Sequence, residues 1–585
     1  MKTMTTRMNK KRLLIVPFIL GLALTVNAQQ SSGGYFSGLG RAVVTNQSIV
    51  DTVSSNEGQT TGGYTLFDMG VNAVRNDILK AGAVLRVRNE FGGFFGDGVS
   101  FEFRQLRLEG IIGNGIKYEL GDLDMALTPY TIHNFNTSFT DYESELFGIK
   151  RDIINYENFY TDDNTWRMQG ANVYTTLKFE KGIETLGIRM FGNRIVTANQ
   201  AAAIPDRFVY GGRLGIKQSD LFSIGINLAN TQDIALTVPD ASVEYKNSVV
   251  TGDFLVSHDM DDIWLGLGGE LGLSSLSMTK ATPDTTVEYQ DGFYDINLRA
   301  KYKPMNIELK VGYRLVGQDF NSPTAQTRRV DDFALASMFT DFSDATVGLT
   351  RVGTLFDRMG QENGLYNSKG ISTTLMSYNP VYGNATPFGQ ATPNRKGLTI
   401  DLSSVDTAGL YDVHLRAELL GEIVGENIPE TRKFNVVEAG ARLNINQLIG
   451  IENLIAIHGG VRSESTTRSN IEVNLKTAQL NMGVDVEVIK RLHVLFGLKT
   501  LKSSGNEFIL QRDEFNLVSD DSTPTEIVEF SHKDKVTALG MKYEFNENAI
   551  FSAYANFVSF ETTFDQVNNF EYDINQLYFV YTQKF

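Results

Sequence analysis

Leu577-Tyr578-Phe579-Val580-Tyr581-Thr582-Gln583-Lys584-Phe585 is the stretch that decides the fold. Counted back from Phe585 by twos, Gln583, Tyr581, Phe579 and Leu577 form a mostly apolar, aromatic face, while Lys584, Thr582, Val580, Tyr578 and Gln576 form the other. A strand that ends on a terminal Phe and sets lipid against one face and water against the other is the form in which outer-membrane β-barrels finish. Phe579, Tyr581 and Phe585 are expected to act as the C-terminal signal read by the barrel-assembly machinery.

The other end of the chain points to the same compartment. Lys2, Arg7, Lys10, Lys11 and Arg12 precede an apolar run from Leu13 to Val26, followed by Asn27-Ala28 and Gln29-Gln30. This is the layout of a cleavable secretory signal over residues 1–28, with the cut expected after Ala28. Cleavage would remove five positive charges and take the formal net charge from -16 to -21. Such acidity argues against a nucleic-acid partner. The chain has no cysteine, which excludes a lipoprotein anchor, a disulfide framework and thiolate metal sites.

No Pro/Ser-rich linker or charge block divides residues 29–585, so a single domain is expected. Beyond the signal no segment approaches the roughly 20 apolar residues of a membrane helix, so a membrane must be crossed by strands. Ile296, Leu298, Ala300 and Tyr302 alternate with Asp295, Asn297, Arg299 and Lys301. After a tight turn at Pro304-Met305-Asn306 the pattern returns, with Ile307, Leu309, Val311, Tyr313 and Leu315 against Glu308, Lys310, Gly312 and Arg314. Val437 to Ile445 and Phe551 to Phe557 alternate likewise.

Short turns are expected near 76–77, 113–115, 181–182, 218–220, 304, 447–448, 489–490 and 546–547. Longer polar connections are expected near 46–62, 128–165, 231–247, 276–288, 319–394, 504–530 and 561–572. The whole reads as an all-β, transmembrane, antiparallel outer-membrane barrel of about 22 strands, within roughly 18 to 26. The least secure strand lies near Leu398–Leu402.

A barrel of this size is too wide for strand side chains to fill, so its lumen holds water or a plug. Segment 128–165 contains Leu146, Ile149 and Ile153 at helical spacing, which allows a short amphipathic helix in the barrel mouth or a decorated external loop. Segment 319–394 is far longer than an ordinary connection, and its apolar residues, Phe333, Phe339, Leu355 and Phe356 among them, argue for packing over or into the lumen. The alternating pattern begins by Tyr35, which leaves no separate N-terminal plug domain of the kind active importers carry.

Charges form a further constellation. Arg86, Arg88 and Glu90 share one strand face opposite Leu85 and Val87, and Glu102 and Arg104 oppose Phe101 and Phe103. A bulge near Gln105 would keep Arg107 and Glu109 facing inward with them. The ladder suits either a transverse field at a constriction or a structural network that anchors a plug.

Catalytic chemistry finds no support. His133, His258, His414, His458, His493 and His532 are scattered singly, without paired spacing or a nucleophile elbow. The chain is not expected to be an enzyme, to bind a cofactor or to hold a metal.

The stretch Arg86-Val-Arg-Asn-Glu-Phe-Gly-Gly-Phe-Phe-Gly-Asp-Gly-Val-Ser-Phe-Glu-Phe-Arg104, with Asp141-Tyr-Glu-Ser-Glu145 and Asn155-Tyr-Glu-Asn158, resembles an uncharacterised family of Bacteroidota outer-membrane β-barrel proteins. The resemblance implies a barrel in the cell outer membrane of a Gram-negative bacterium and transfers no site residue. It also implies surface lipoproteins as partners beside outer-membrane lipid. Two functional readings follow. One is a gated channel or transporter for a solute or exported substrate; the other is a non-conducting structural or assembly component.

Overall fold

The computed structural model describes residues 32–51, 56–75, 78–91, 98–113, 115–135, 142–157, 164–234, 237–238, 243–281, 284–328, 330, 336–337, 350–351, 353–360, 371–372, 375–376, 378–425, 429–468, 473–507, 528–564 and 568–585. The expected signal and its cleavage site at Ala28 lie outside the described residues.

The chain opens with β1 (Ser32–Asp51), β2 (Asn56–Arg75), β3 (Leu79–Glu90), β4 (Val99–Ile112), β5 (Ile116–Met125), β6 (Trp166–Lys178), β7 (Thr185–Val196) and β8 (Asp206–Ser219). It continues through β9 (Phe222–Ile234), β10 (Val243–Asp259), β11 (Ile263–Ala281), β12 (Asp284–Tyr302) and β13 (Ile307–Val316). A two-residue pair, β14 (Ala336–Ser337) and β15 (Thr350–Arg351), stands apart. The wall resumes with β16 (Arg395–Val405), β17 (Tyr411–Gly421), β18 (Arg432–Asn444), β19 (Ile455–Arg468) and β20 (Val473–Ile489). It ends with β21 (Leu492–Glu507), β22 (Val528–Asn546), β23 (Ala549–Phe564) and β24 (Asn568–Lys584).

Twenty-two of these strands form one antiparallel sheet in chain order, and β1 pairs with β24 from Leu39↔Lys584 to Asp51↔Tyr572. The sheet is therefore a closed barrel with no free edge, the condition for strands to lie in lipid. Leu398–Leu402 falls inside β16, so every later strand keeps its direction. The two faces separate as the alternation requires. Leu298 is 56% exposed on the outside, and its neighbour Asn297 is 5% exposed on the inside.

At one end the connections are tight. The β12–β13 turn is a single 3-10 turn over Lys303–Met305, closed by Asn306 in the left-handed region at φ 48°, a conformation Asn tolerates. At the other end three of the expected long connections are corrected. The 46–62 region is β1 and β2 paired up to Asp51↔Asn56, and 276–288 is β11 and β12 paired up to Ala281↔Asp284. The 561–572 region is likewise mostly strand, with β23 and β24 paired up to Phe564↔Asn568. These hairpins rise beyond the roughly 9–11 residues that cross a bilayer, so neither face there meets lipid and the apolar signal disappears.

The core lies inside the barrel. Helix α1 (Glu145–Glu157) follows β5, and α2 (Pro323–Gln326) and α3 (Leu355–Gly360) follow β13. Leu146, Phe147 and Ile153 of α1 and Leu355, Phe356 and Met359 of α3 pack against Val43, Val536, Ala538, Val558, Ile574 and Val580 of the wall. The described parts of both long connections thus fill the lumen as a plug, and α1 and α3 touch one another.

Candidate functional site

Thirteen residues of helix extend about 20 Å, enough to cross much of the lumen. The two ends of α1 are held differently. At its C-terminus Glu157 accepts from Arg41 (Nη1 to Oε1, 2.7 Å), from the Tyr64 hydroxyl (2.7 Å) and from Arg88 Nη1 (3.1 Å). Arg86 Nη1 donates to the Glu157 backbone carbonyl at 2.7 Å, so cations gather where the helix dipole is negative. One residue earlier, the Tyr156 hydroxyl donates to Asp68 at 2.8 Å, with the Arg104 guanidinium 3.7 Å from the Tyr156 ring centre. Burial holds the Tyr156 phenol above its ordinary pKa, so it remains a donor.

These contacts locate the charge ladder. Arg86 forms a two-pronged pair with Asp68 (2.8 Å on each prong), and Arg104 reaches the same carboxylate at 3.0 Å. Arg86 also lies 3.7 Å from Glu102, and Arg88 pairs with Glu90 at 2.5 Å. The β3–β4 register shifts between Val84↔Gln105 and Leu85↔Phe103, so Arg104 is the extra residue of a bulge. Beyond it Arg107 pairs with Glu109 (2.9 Å) and Glu119 (3.4 Å). Asp68, Glu157, Arg41, Tyr64 and Tyr156 complete the cluster and were not singled out by sequence. Asp68 is the direct register partner of Arg86 across the β2–β3 hairpin, whereas Tyr156 and Glu157 reach the cluster only because α1 folds into the lumen.

The N-terminal end of α1 rests on a glycine shelf. A side chain at Gly440 would meet the Tyr142 ring, at Gly483 the Ser144 backbone, at Gly497 the Phe147 ring and at Gly540 the Leu146 side chain, all within 2.8 Å. Four strands thus lack lumen side chains where residues 142–147 approach. Around the shelf Ser144 donates to Asp485 (3.0 Å), which also meets His458 Nε2 (2.8 Å), and Tyr142 donates to Asp412 (2.9 Å). Lys499 pairs with Glu143 at 2.5 Å, and Lys542 with Glu145 at 2.8 Å.

The second plug segment makes equivalent attachments. Leu355 N donates to Asp534 (2.7 Å), Asn384 N to Glu464 (2.8 Å), and the Tyr382 hydroxyl to Gly353 O (2.8 Å). Between the two segments Trp166 Nε1 donates to Thr324 O (2.8 Å) and Ser322 Oγ to Tyr130 O (2.8 Å). The Tyr130 ring stacks on Phe293 at 3.8 Å and its hydroxyl donates to Asp295 at 2.8 Å. Asp295 belongs to a second lumen ladder with Arg314, Glu418, Arg416, Glu438, Arg462 and Glu464. Its signal, charges at alternate positions of β12, β13 and β17–β19, was present in the sequence.

Among the described residues, cavities lie toward the tight-turn end. One of about 390 Å³ lies against β4–β8, lined by Arg107, Glu119, Asn172, Tyr174, Arg189 and Arg213. Another of about 490 Å³ lies beside the shelf, lined by Glu143, Asp412, Arg442, His458, Asp485 and His493. Among the described residues no group of three or more His, Asp or Glu is arranged to hold a metal ion. On the outer face Phe579 and Tyr581 are exposed, and Phe585 stacks on Phe67 at 5.4 Å while its carbonyl accepts from Gly38 N.

No family model and no curated protein matches the chain. Solved barrels do resemble it. The ferric citrate transporter FecA in its unliganded form aligns at 10% identity over 94% of this chain and 78% of that one, with a TM-score of 0.48. OccK5 (OpdH) of Pseudomonas aeruginosa aligns at 10% identity over 94% and 98%, with a TM-score of 0.33. OpdL of the same organism aligns at 8% identity over 94% and 99%, with a TM-score of 0.34.

Proposed function

We propose that this chain is a gated channel or transporter of the outer membrane of a Gram-negative bacterium, closed by its own plug. The observation that carries the reading is the unequal lining of the lumen. Beneath the plug the wall presents Val536, Val558, Ile574 and Val580 inward, and β5–β8 present Leu123, Met168, Phe191 and Val209 likewise, whereas toward the tight-turn end β4–β8 present Arg107, Glu119, Arg189 and Arg213 to a cavity. A barrel that only displayed loops would need no polar-lined cavity beside its plug. Displacement of α1 from Arg41, Arg86 and Arg88 would join that cavity to the long-connection end and open a path.

The test is conductance in planar bilayers, comparing the intact mature protein with a variant lacking residues 330–390. The reading expects few or brief openings from the first and steady conductance from the second. Silence from both would sink it in favour of a non-conducting assembly component.

A further inference from the structure

Across β5–β8 one rung of lumen residues is conspicuously cationic. Lys117 faces Tyr174, Tyr174 faces Arg189, and Arg189 faces Arg213 in direct register. Tyr174, Arg189 and Arg213 of this rung line the 390 Å³ cavity at the tight-turn end together with Arg107 and Thr176. This concentration of positive charge sits in a chain of formal net charge -16.

The cations are not equally satisfied. Arg213 is clamped by Asp253 (2.6 and 2.8 Å) and Asn227 (2.7 Å), and Arg107 by Glu109 and Glu119. Among the described residues Arg189 donates only to neutral acceptors: Asn172 Oδ1 at 2.9 Å, and Ala126 O and Met125 Sδ at 3.5 Å. Lys117 has the Tyr174 ring, 5.7 Å from its ammonium. The carboxylates in reach are already engaged, Glu119 by Arg107 and Asn172, and Asp124 by both prongs of Arg167. A guanidinium fixed by an amide, with no carboxylate of its own, is oriented to receive one.

The space beside it is also shaped for a ligand. Gly187 and Gly215 face each other on the cavity floor, and a side chain at Gly187 would meet nothing closer than the Gly215 carbonyl at 3.8 Å. The volume falls in the roughly 300–1,000 Å³ range of small-molecule sites.

We propose that this cavity binds a small organic carboxylate, its oxygens held by Arg189 and its polar groups by Tyr174 and Thr176. The inference rests on the channel reading for its purpose and names the class of solute handled. Binding, however, is measurable without conduction.

The test is calorimetric titration of the full mature protein in detergent with succinate, and separately with inorganic phosphate. Saturable succinate binding is expected, weakened at least tenfold by Arg189→Gln and unchanged by Arg442→Gln, a lumen cation in the opposite cavity. Thr176→Val, at an exposed position of the cavity lining, carries the same test should Arg189→Gln fail to fold. Absence of saturable succinate binding, equal loss in Arg442→Gln, or a preference for phosphate would each overturn the assignment. Failure of the channel reading would show instead as silence in bilayers, with succinate binding intact.

Discussion

The wall of β18–β24 and β1 and the wall of β4–β8 belong to one sheet and share one alternation, yet their inner faces are covered to different depths. The first turns Val558, Phe560, Ile574 and Val580 inward, each nearly inaccessible; the second turns Leu123, Met168, Phe191 and Val209 into a buried cluster toward the long connections, and Arg107, Arg189 and Arg213 toward a cavity at the tight-turn end. Outer faces are apolar on both walls, because both meet lipid. An inner face has no such constraint and reports what it touches: apolar where a plug is bound, polar where water is. Among the described residues the lumen is therefore a protein core along the plug and a polar-walled cavity beside β4–β8.

The largest expected effect breaks the plug away from its charged attachment. Glu157→Gln leaves Arg41, which is buried, without its carboxylate partner, and removing one member of a buried pair costs on the order of 3 kcal/mol. Since 1.4 kcal/mol is a factor of ten, the open state should gain about a hundredfold in single-channel records. A variant as closed as the wild type would show that α1 is held by apolar packing alone.

The same substitution on the two walls sharpens the contrast. Gly497→Val places its first added carbon 2.7 Å from the Phe147 ring, and overpacking of this sort costs about 1–3 kcal/mol. Gly187→Val adds volume to an open floor and should leave the plug seated while blocking succinate. Protease accessibility of the plug separates the two; equal exposure in both would mean that the shelf has no special role.

Much of this was legible in the residues and some of it was not. Strand number, direction and the lipid face followed from alternation, because lipid imposes one chemistry on every outward position. Tyr578 and Val580 read as the water side of the last strand, but both are buried under the plug. Two apolar faces on one strand were the available sign that something packs inside. The segments 128–165 and 319–394 announced themselves by length and by Leu146, Phe147, Leu355 and Phe356. What they touch was not readable, since the Glu157–Arg41 and Ser144–Asp485 contacts join residues 116 and 341 positions apart. The glycine shelf is similarly silent, because each glycine lies on a different strand and only register aligns them.

A smaller effect is expected at the other end of α1. Lys542 pairs with Glu145, whose side chain is half exposed, so Lys542→Gln should cost only about 0.2–1 kcal/mol. Raising the salt concentration should mimic Lys542→Gln and leave the Glu157 attachment largely intact, since buried pairs are screened less. Equal salt sensitivity of both variants would erase the distinction between the two ends.

The smallest effect is a pH dependence of plug seating. His133 lies in the plug, its backbone N–H donating to Thr324 O and its carbonyl accepting from Trp166 Nε1. Burial lowers its imidazole pKa below the ordinary value near 6.5, so the seated plug favours the neutral ring. The released segment, in water, takes up a proton more readily. Seating is therefore at full strength above about pH 6.5 and weakens as the pH falls from there toward the lowered pKa, below which both states are protonated and the loss levels off. Open probability recorded from pH 8 to pH 5 should rise in the lower part of that range, and His133→Gln should flatten the rise. An unchanged profile in His133→Gln would assign the pH response to other groups of the plug.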